Sequence, residues 1–161
     1  MSEPLATYLH DHFAGSTFAV NLLKTLRDQH SGEPLERFAA SLLVEVEEDR
    51  EVLLGIIDRV GERPPALKEV TAWLSQKLSQ IKLRSDTAGE LGTFEALETL
   101  SLGILGKLAL WRALAVIAKA VPQMGEVDFN DLASRAEAQH GRVEERRLQT
   151  ASTALVTAQT L

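Results

Sequence analysis

Apolar residues recur at every third or fourth position through the first sixty residues. The first stripe comprises Leu5, Leu9, Phe13, Val20, Leu23 and Leu26, and the second comprises Leu35, Phe38, Leu42, Val46, Leu53, Ile56 and Val60. This spacing predicts two amphipathic helices. Gly32 can end the first helix and Pro34 can open the second, while Gly61 can end the second. So short a connection predicts that the two helices are antiparallel neighbours.

The second half of the chain predicts a short helix and two more long ones. The prolines at 64–65 stop the second helix, and the short amphipathic piece after them carries Leu67, Val70, Leu74, Leu78 and Ile81. Thr87 and Glu90 have the spacing of a capping box, which predicts the start of a third long helix. We expect that helix to run to Pro122 and Asp128 to cap the final one.

These segments predict an all-α protein, and no stretch shows the alternation of a half-buried strand. Two long helices, a long middle crossover that carries a short extra helix, and two further long helices make an antiparallel four-helix bundle of ferritin-like topology. A chain of 161 residues is long enough for one domain with a core of its own. We therefore expect a single domain over residues 1–161.

Composition narrows the chemistry that the chain can perform. Cysteine is absent, so a metal would be held by Glu, Asp and His, which suits iron or manganese better than structural zinc. The net charge of −6 argues against a nucleic-acid partner. The densest basic cluster, at Arg142, Arg146 and Arg147, is interrupted by Glu144 and Glu145. No Ser-His-Asp order, phosphate-binding loop or nucleotide fingerprint is present in the sequence.

The sequence predicts a soluble, cytoplasmic protein. Its first residues lack the basic segment and apolar run of a signal peptide. Residues 97–121 are the most apolar part of the chain, but Lys107, Arg112 and Lys119 interrupt them. Each charge at the centre of a bilayer costs roughly 2.5–3.5 kcal/mol. A buried helix of a soluble bundle is therefore favoured over a membrane span.

Several polar residues interrupt the apolar stripes and form a candidate metal site. They are Glu45, Asp49, Glu95, Glu98, Glu137, His140 and Glu144. Glu137 and His140 form a Glu-x-x-His step, and residues three apart share one face of a helix. Di-iron bundles use this motif together with single glutamates on other helices. The candidates are interpreted as an iron or manganese site, the alternative being a buried polar network or solvated helix edges.

The chain also resembles the ferritin-like superfamily, in particular its small bacterial, stress-associated YciF/YciE-like branch. The likeness is carried by residues 8–11 (YLHD), 45–49 (EVEED), 60–64 (VGERP) and 94–98 (FEALE). It implies a compact bundle, often dimeric, with a di-metal site and a role in stress responses. The first helix departs from the family, because Ser16 stands where such proteins place a metal-binding glutamate.

The third helix is apolar on more than one face, whereas one face of a bundle helix normally meets water. Its second apolar face lies around Leu102, Leu110 and Trp111, and Gly103 and Gly106 would permit close approach of a partner. This pattern predicts a homodimer formed through the third helix. Two functions follow as hypotheses: an iron- or manganese-binding ferritin-like protein, or a non-catalytic homodimeric bundle whose metal site has degenerated.

Overall fold

The computed structural model describes residues 3–61, 76 and 89–156, which form four long helices and one short 3-10 turn. The helices are α1 (Glu3–Gln29), α2 (Pro34–Val60), α3 (Glu90–Ile117) and α4 (Phe129–Leu155), and the 3-10 turn is Pro122–Met124. These residues contain no strand. The all-α prediction is therefore confirmed. The short helix expected between α2 and α3 falls on a segment outside the described residues.

Three predicted helix boundaries are confirmed because local chemistry sets them. Pro34 is the first residue of α2, where its missing N–H is not needed. Gly61 caps the other end at φ 114°, a left-handed conformation that glycine adopts without steric cost, and its N–H donates to the Ile57 carbonyl. Asp128 caps α4, since its Oδ1 accepts a hydrogen bond from the Asp131 N–H at 3.0 Å.

The ends of α3 differ from the prediction. Its first residue is Glu90, and the capping position is held by Gly89 without a side-chain hydrogen bond. Thr87, the expected capping residue, lies outside the described residues. The helix ends at Ile117, five residues before Pro122, which opens the 3-10 turn instead.

Two helix pairs make the bundle. α1 packs on α2 and α3 packs on α4, and α1 also contacts α3. The core between them is aliphatic, with Leu22, Leu23, Ile56, Leu97 and Leu114 fully buried. Burial of each such side chain contributes about 1.5–3 kcal/mol. The 3-10 turn is fastened to α2, because the Arg59 guanidinium donates to the carbonyls of the turn.

The second apolar face of α3 differs from the predicted one. Leu110 and Trp111, which we expected on a dimer face, are each only 1% exposed and belong to the core. The exposed apolar face consists of Leu102, Leu105, Ala109 and Val116, here called the outer stripe, and shares Leu102 with the predicted face. Leu102 is 64% exposed. Leu110 and Trp111 therefore pack inside the bundle, whereas Leu102 is exposed as predicted.

Of the described helices, α3 has the length and hydropathy that a membrane span requires, although core helices of soluble proteins meet the same test. Its most apolar 18-residue window has a mean hydropathy of 1.7, and 39% of that window is buried. Much of this apolar surface is therefore not accounted for by packing within the bundle.

Candidate functional site

Asp49 of α2 and Lys107 of α3 meet in the bundle core. Asp49 is only 2% exposed, and its Oδ2 accepts a hydrogen bond from the Lys107 Nζ at 2.7 Å. A buried carboxylate is very costly unless a cation and hydrogen bonds compensate it. Lys107 supplies the nearest positive charge, so the two side chains stabilise each other in an otherwise apolar environment.

Gln139 of α4 completes this network and is fully buried. Its Oε1 accepts a hydrogen bond from the Lys107 Nζ, and its Nε2 donates to Asp49 Oδ2 at 3.1 Å and to Glu45 Oε2 at 3.2 Å. This amide orientation follows from the partners, because an ammonium only donates and a carboxylate only accepts. One side chain therefore ties α2, α3 and α4 together.

Two arginines of α4 extend the network to the protein surface. The Arg135 Nη2 lies 3.4 Å from Asp49 Oδ1 and 3.0 Å from Glu48 Oε2. Arg142 donates to both carboxylate oxygens of Glu45, at 2.9 and 2.6 Å. The hydrogen bond from Arg142 is the main reason that the pKa of Glu45 lies below its usual range. We call this row of polar contacts the α2–α4 seam.

The burial of Lys107 has an electrostatic cost that its partner only partly offsets. Burial lowers the pKa of the Lys107 ammonium, and the charge and hydrogen bond of Asp49 act in the opposite direction. A metal ion at Asp49 would lie beside this ammonium and would be repelled by it. The donor set around Asp49 therefore fits a protein cation better than a metal.

A second polar cluster lies around Ser101 of α3. The Ser101 hydroxyl donates to Glu144 Oε1 at 2.6 Å and contacts the His140 Nε2 at 3.1 Å. Because the single hydroxyl proton goes to Glu144, the network assigns the His140 proton to Nε2. Arg147 donates to Glu144 and to Glu98 and, with the Ser101 hydrogen bond, lowers the pKa of Glu144 to about 2.

Glu137 lies outside both clusters, whereas we expected Glu137, His140 or both to point into the bundle. Its side chain is 55% exposed and pairs with Arg112 at 2.6 Å. The buried positions of α4 nearby are Ala136, Gln139 and Val143. Each residue turns a helix by about 100°, so Glu137 lies a quarter-turn beyond the core-facing position. The core-facing polar residue of α4 is Gln139.

The seven predicted ligands are thus divided between different places. Glu45 and Asp49 belong to the α2–α4 seam, whereas Glu98, His140 and Glu144 surround Ser101 and Arg147. Glu95 is half-buried on α3. Within the described residues, no three His, Asp or Glu side chains come together in a group that could hold a metal ion.

A cavity of about 90 Å³ lies on the other side of Asp49, between α1, α2 and α3. Its lining is mainly aliphatic but includes Asp49, Lys107, His12 and Ser16. Ser16, where the resemblance implies a lost ligand, therefore borders the same cavity as Asp49, and its hydroxyl donates to the Phe13 carbonyl at 2.7 Å. Burial lowers the pKa of His12, against the influence of Asp11.

The sequence reasoning missed Lys107, Gln139 and Arg135 as functional residues. Lys107 did carry a signal, since a lysine inside an apolar run requires a buried anion. Asp49 in the apolar face of α2 was the matching anion. Gln139 carried no such signal, because a neutral amide is equally common on exposed helix faces.

No family model matches this chain. No curated protein and no solved structure matches it either. The proposal that follows therefore depends on the geometry of the two polar clusters, the cavity and the outer stripe.

Proposed function

We propose that this protein is a homodimeric, ferritin-like helical module in which Lys107 takes the place of a core metal ion. The observation that carries this proposal is the contact of the Lys107 Nζ with Asp49 Oδ2 at 2.7 Å, closed by Gln139. An ammonium at this point supplies the positive charge that a metal would bring to a bundle core. The iron- or manganese-binding function suggested by the sequence is the less favoured alternative.

The ferritin-like part of the proposal is supported by the order of the helices. Two hairpins, α1–α2 and α3–α4, are separated by a connection of about thirty residues, from 61 to 89. One long connection in the middle of a four-helix bundle is typical of ferritin-like folds. A simple up-down-up-down bundle would join α2 to α3 by a short loop.

The homodimeric part is supported by the outer stripe of α3. Leu102, Leu105 and Ala109 are spaced three and four residues apart, and Val116 follows seven residues after Ala109, as in the seam between two packed helices. Glu98 and Arg112 lie on the same face at equal distances in sequence from Leu105. In an antiparallel pair with its two-fold axis near Leu105, Glu98 of one copy lies opposite Arg112 of the second copy. Such self-complementarity is what a two-fold interface requires.

Light scattering at micromolar concentration tests the dimer. We expect the wild-type protein to be dimeric and Leu105→Glu to be monomeric, because the new charge would be buried between the two copies. Val44→Glu is the matched control, since Val44 is also an exposed aliphatic residue but lies on α2. It should remain dimeric. A monomeric wild type would contradict the proposal.

Metal analysis tests the role of Lys107. Protein refolded with ferrous iron or manganese and passed through gel filtration should retain neither metal. Lys107→Ala, which removes the competing ammonium, serves as the comparison. Stoichiometric metal on the wild-type protein would contradict the proposal and favour the metal-binding alternative.

A further inference from the structure

Two residues that line the cavity between α1, α2 and α3 carry buried polar atoms without a hydrogen-bond partner among the described residues. Asp49 Oδ1 and Trp111 Nε1 are both buried, and neither has a hydrogen-bond partner among the described residues. Arg135 approaches Asp49 Oδ1 only to 3.4 Å, as an ion pair. Both residues line the cavity. A buried donor or acceptor that lacks a partner destabilises the folded protein.

Asp49 Oδ1 and Trp111 Nε1 have complementary hydrogen-bonding roles. A carboxylate oxygen accepts hydrogen bonds, and an indole N–H only donates one. A hydroxyl group does both, so its chemistry matches both the Asp49 carboxylate and the Trp111 indole. The remaining wall, which includes Leu53, Leu100 and Ile104, suits an aliphatic body.

The charges around the cavity favour a neutral ligand. A cation would meet Lys107 and Arg50, which both line the cavity, and an anion would meet the buried Asp49. Arg50 is already engaged, because it donates to Thr17 Oγ1 and lies 4.6 Å from the Phe13 ring centroid. The volume of about 90 Å³ admits only a few carbon atoms.

The cavity also has a route to solvent. Gly15 of α1 and Gly103 of α3 line it and are exposed, so they lie at its mouth. A Cβ atom added at either glycine would meet no atom within 4 Å. The mouth is therefore open, and a larger side chain there would obstruct entry without disturbing the core.

We propose that this cavity binds a small neutral alcohol, with its hydroxyl between Asp49 and Trp111 and its aliphatic chain towards the mouth. The site is separate from the outer stripe. It does not depend on the dimer, so Leu105→Glu should bind the same alcohol with unchanged affinity. A negative result in the dimer experiment would not contradict the alcohol site. A negative result in the alcohol titration would not contradict the dimer.

The probe is n-butanol, and n-butyl chloride is the comparison because it has a similar shape without the donor. Titration followed by the Trp111 indole N–H resonance, assigned by its loss in Trp111→Phe, should give a dissociation constant on the order of 1 mM. The butyl chloride should bind at least about tenfold more weakly, because it cannot donate to the Asp49 carboxylate and a hydrogen bond to a charged group contributes about 1.5–3 kcal/mol. Equal affinities, or no response to n-butanol, would overturn the proposal.

Variants at the mouth supply the second test. Gly103→Leu should abolish n-butanol binding while leaving the thermal midpoint without alcohol unchanged or slightly higher, because leucine favours a helix more than glycine does. Gly141→Leu is the matched control, an exposed helical glycine of α4 that does not line the cavity and has equally open surroundings. Undiminished binding to a folded Gly103→Leu variant would overturn the proposed site.

Discussion

The α2–α4 seam and the α1–α3 side of the bundle differ in how the space between their helices is filled. Across the seam, charged and amide side chains form a continuous set of hydrogen bonds from Asp49 through Gln139 to Arg142. On the α1–α3 side, glycines and aliphatic residues leave a cavity. Asp49 belongs to both regions, because Oδ2 takes its hydrogen bonds from the seam while Oδ1 takes none among the described residues. The difference shows that a buried carboxylate can anchor a hydrogen-bond network through one oxygen while its residue also lines a cavity.

The largest expected effect comes from removing the cation of the seam. Lys107→Met leaves Asp49 buried without its closest positive charge and should lower the free energy of unfolding by about 3–5 kcal/mol. Urea denaturation measures this change.

The matched control is the double variant Asp49→Leu with Lys107→Met, which replaces the pair by apolar groups. Such replacements of buried ion pairs are often neutral or stabilising, but Gln139 loses its donor Lys107, so the free energy of unfolding should lie between those of Lys107→Met and the wild type. A single variant as stable as the wild type would show that the seam does not depend on Lys107.

A substitution on the cavity side should change the free energy of unfolding by a smaller amount and in the opposite direction. Ala19 lines the cavity, and Ala19→Leu should raise the free energy of unfolding by about 1 kcal/mol because it fills space between α1 and α3. The same substitution should displace n-butanol. Thermal unfolding with and without the alcohol measures both effects. A loss of stability would indicate that this side of the bundle is too rigid to accept the added volume.

The smallest effect is a pH dependence on the cavity side. Burial sets the pKa of His12 below that of an unfolded histidine, against the influence of Asp11, so the unfolded state binds more protons just below pH 6.5. The stability that His12 contributes is complete above pH 6.5 and is lost as the pH falls through its lowered pKa. Asp49, Arg50 and Lys107 line the same cavity and contribute to its field.

The thermal midpoint of the wild type should therefore decrease as the pH is lowered from about 7 to about 5. The thermal midpoint of His12→Gln should decrease less steeply over the same range. Other acidic groups titrate in both proteins, so the test compares the two curves of thermal midpoint against pH and uses only the difference between them. Parallel profiles would show that His12 keeps an ordinary pKa and that this part of the cavity is accessible to water.

The sequence predicted local features better than directions around a helix axis. Pro34, Gly61 and Asp128 act through their own backbone or a neighbour within four residues, so their roles were readable without a fold. Glu137 is exposed while His140 of the same Glu-x-x-His step is half-buried, because three residues turn a helix by about 300° and not by a full turn. Trp111 was misassigned for a related reason, since α3 is too uniformly apolar for its pattern to define one buried face.

The sequence by itself determined that the described part of the chain is helical, where α2 begins and ends, where α4 begins, and that charged groups interrupt the apolar stripes. These properties depend on spacing and on caps within one or two turns. The tertiary structure alone decided that Asp49 is compensated by Lys107, 58 residues away, and that Gln139 closes the network between them. Electrostatic compensation in a core depends on distances across helices, and no periodicity within one helix specifies them.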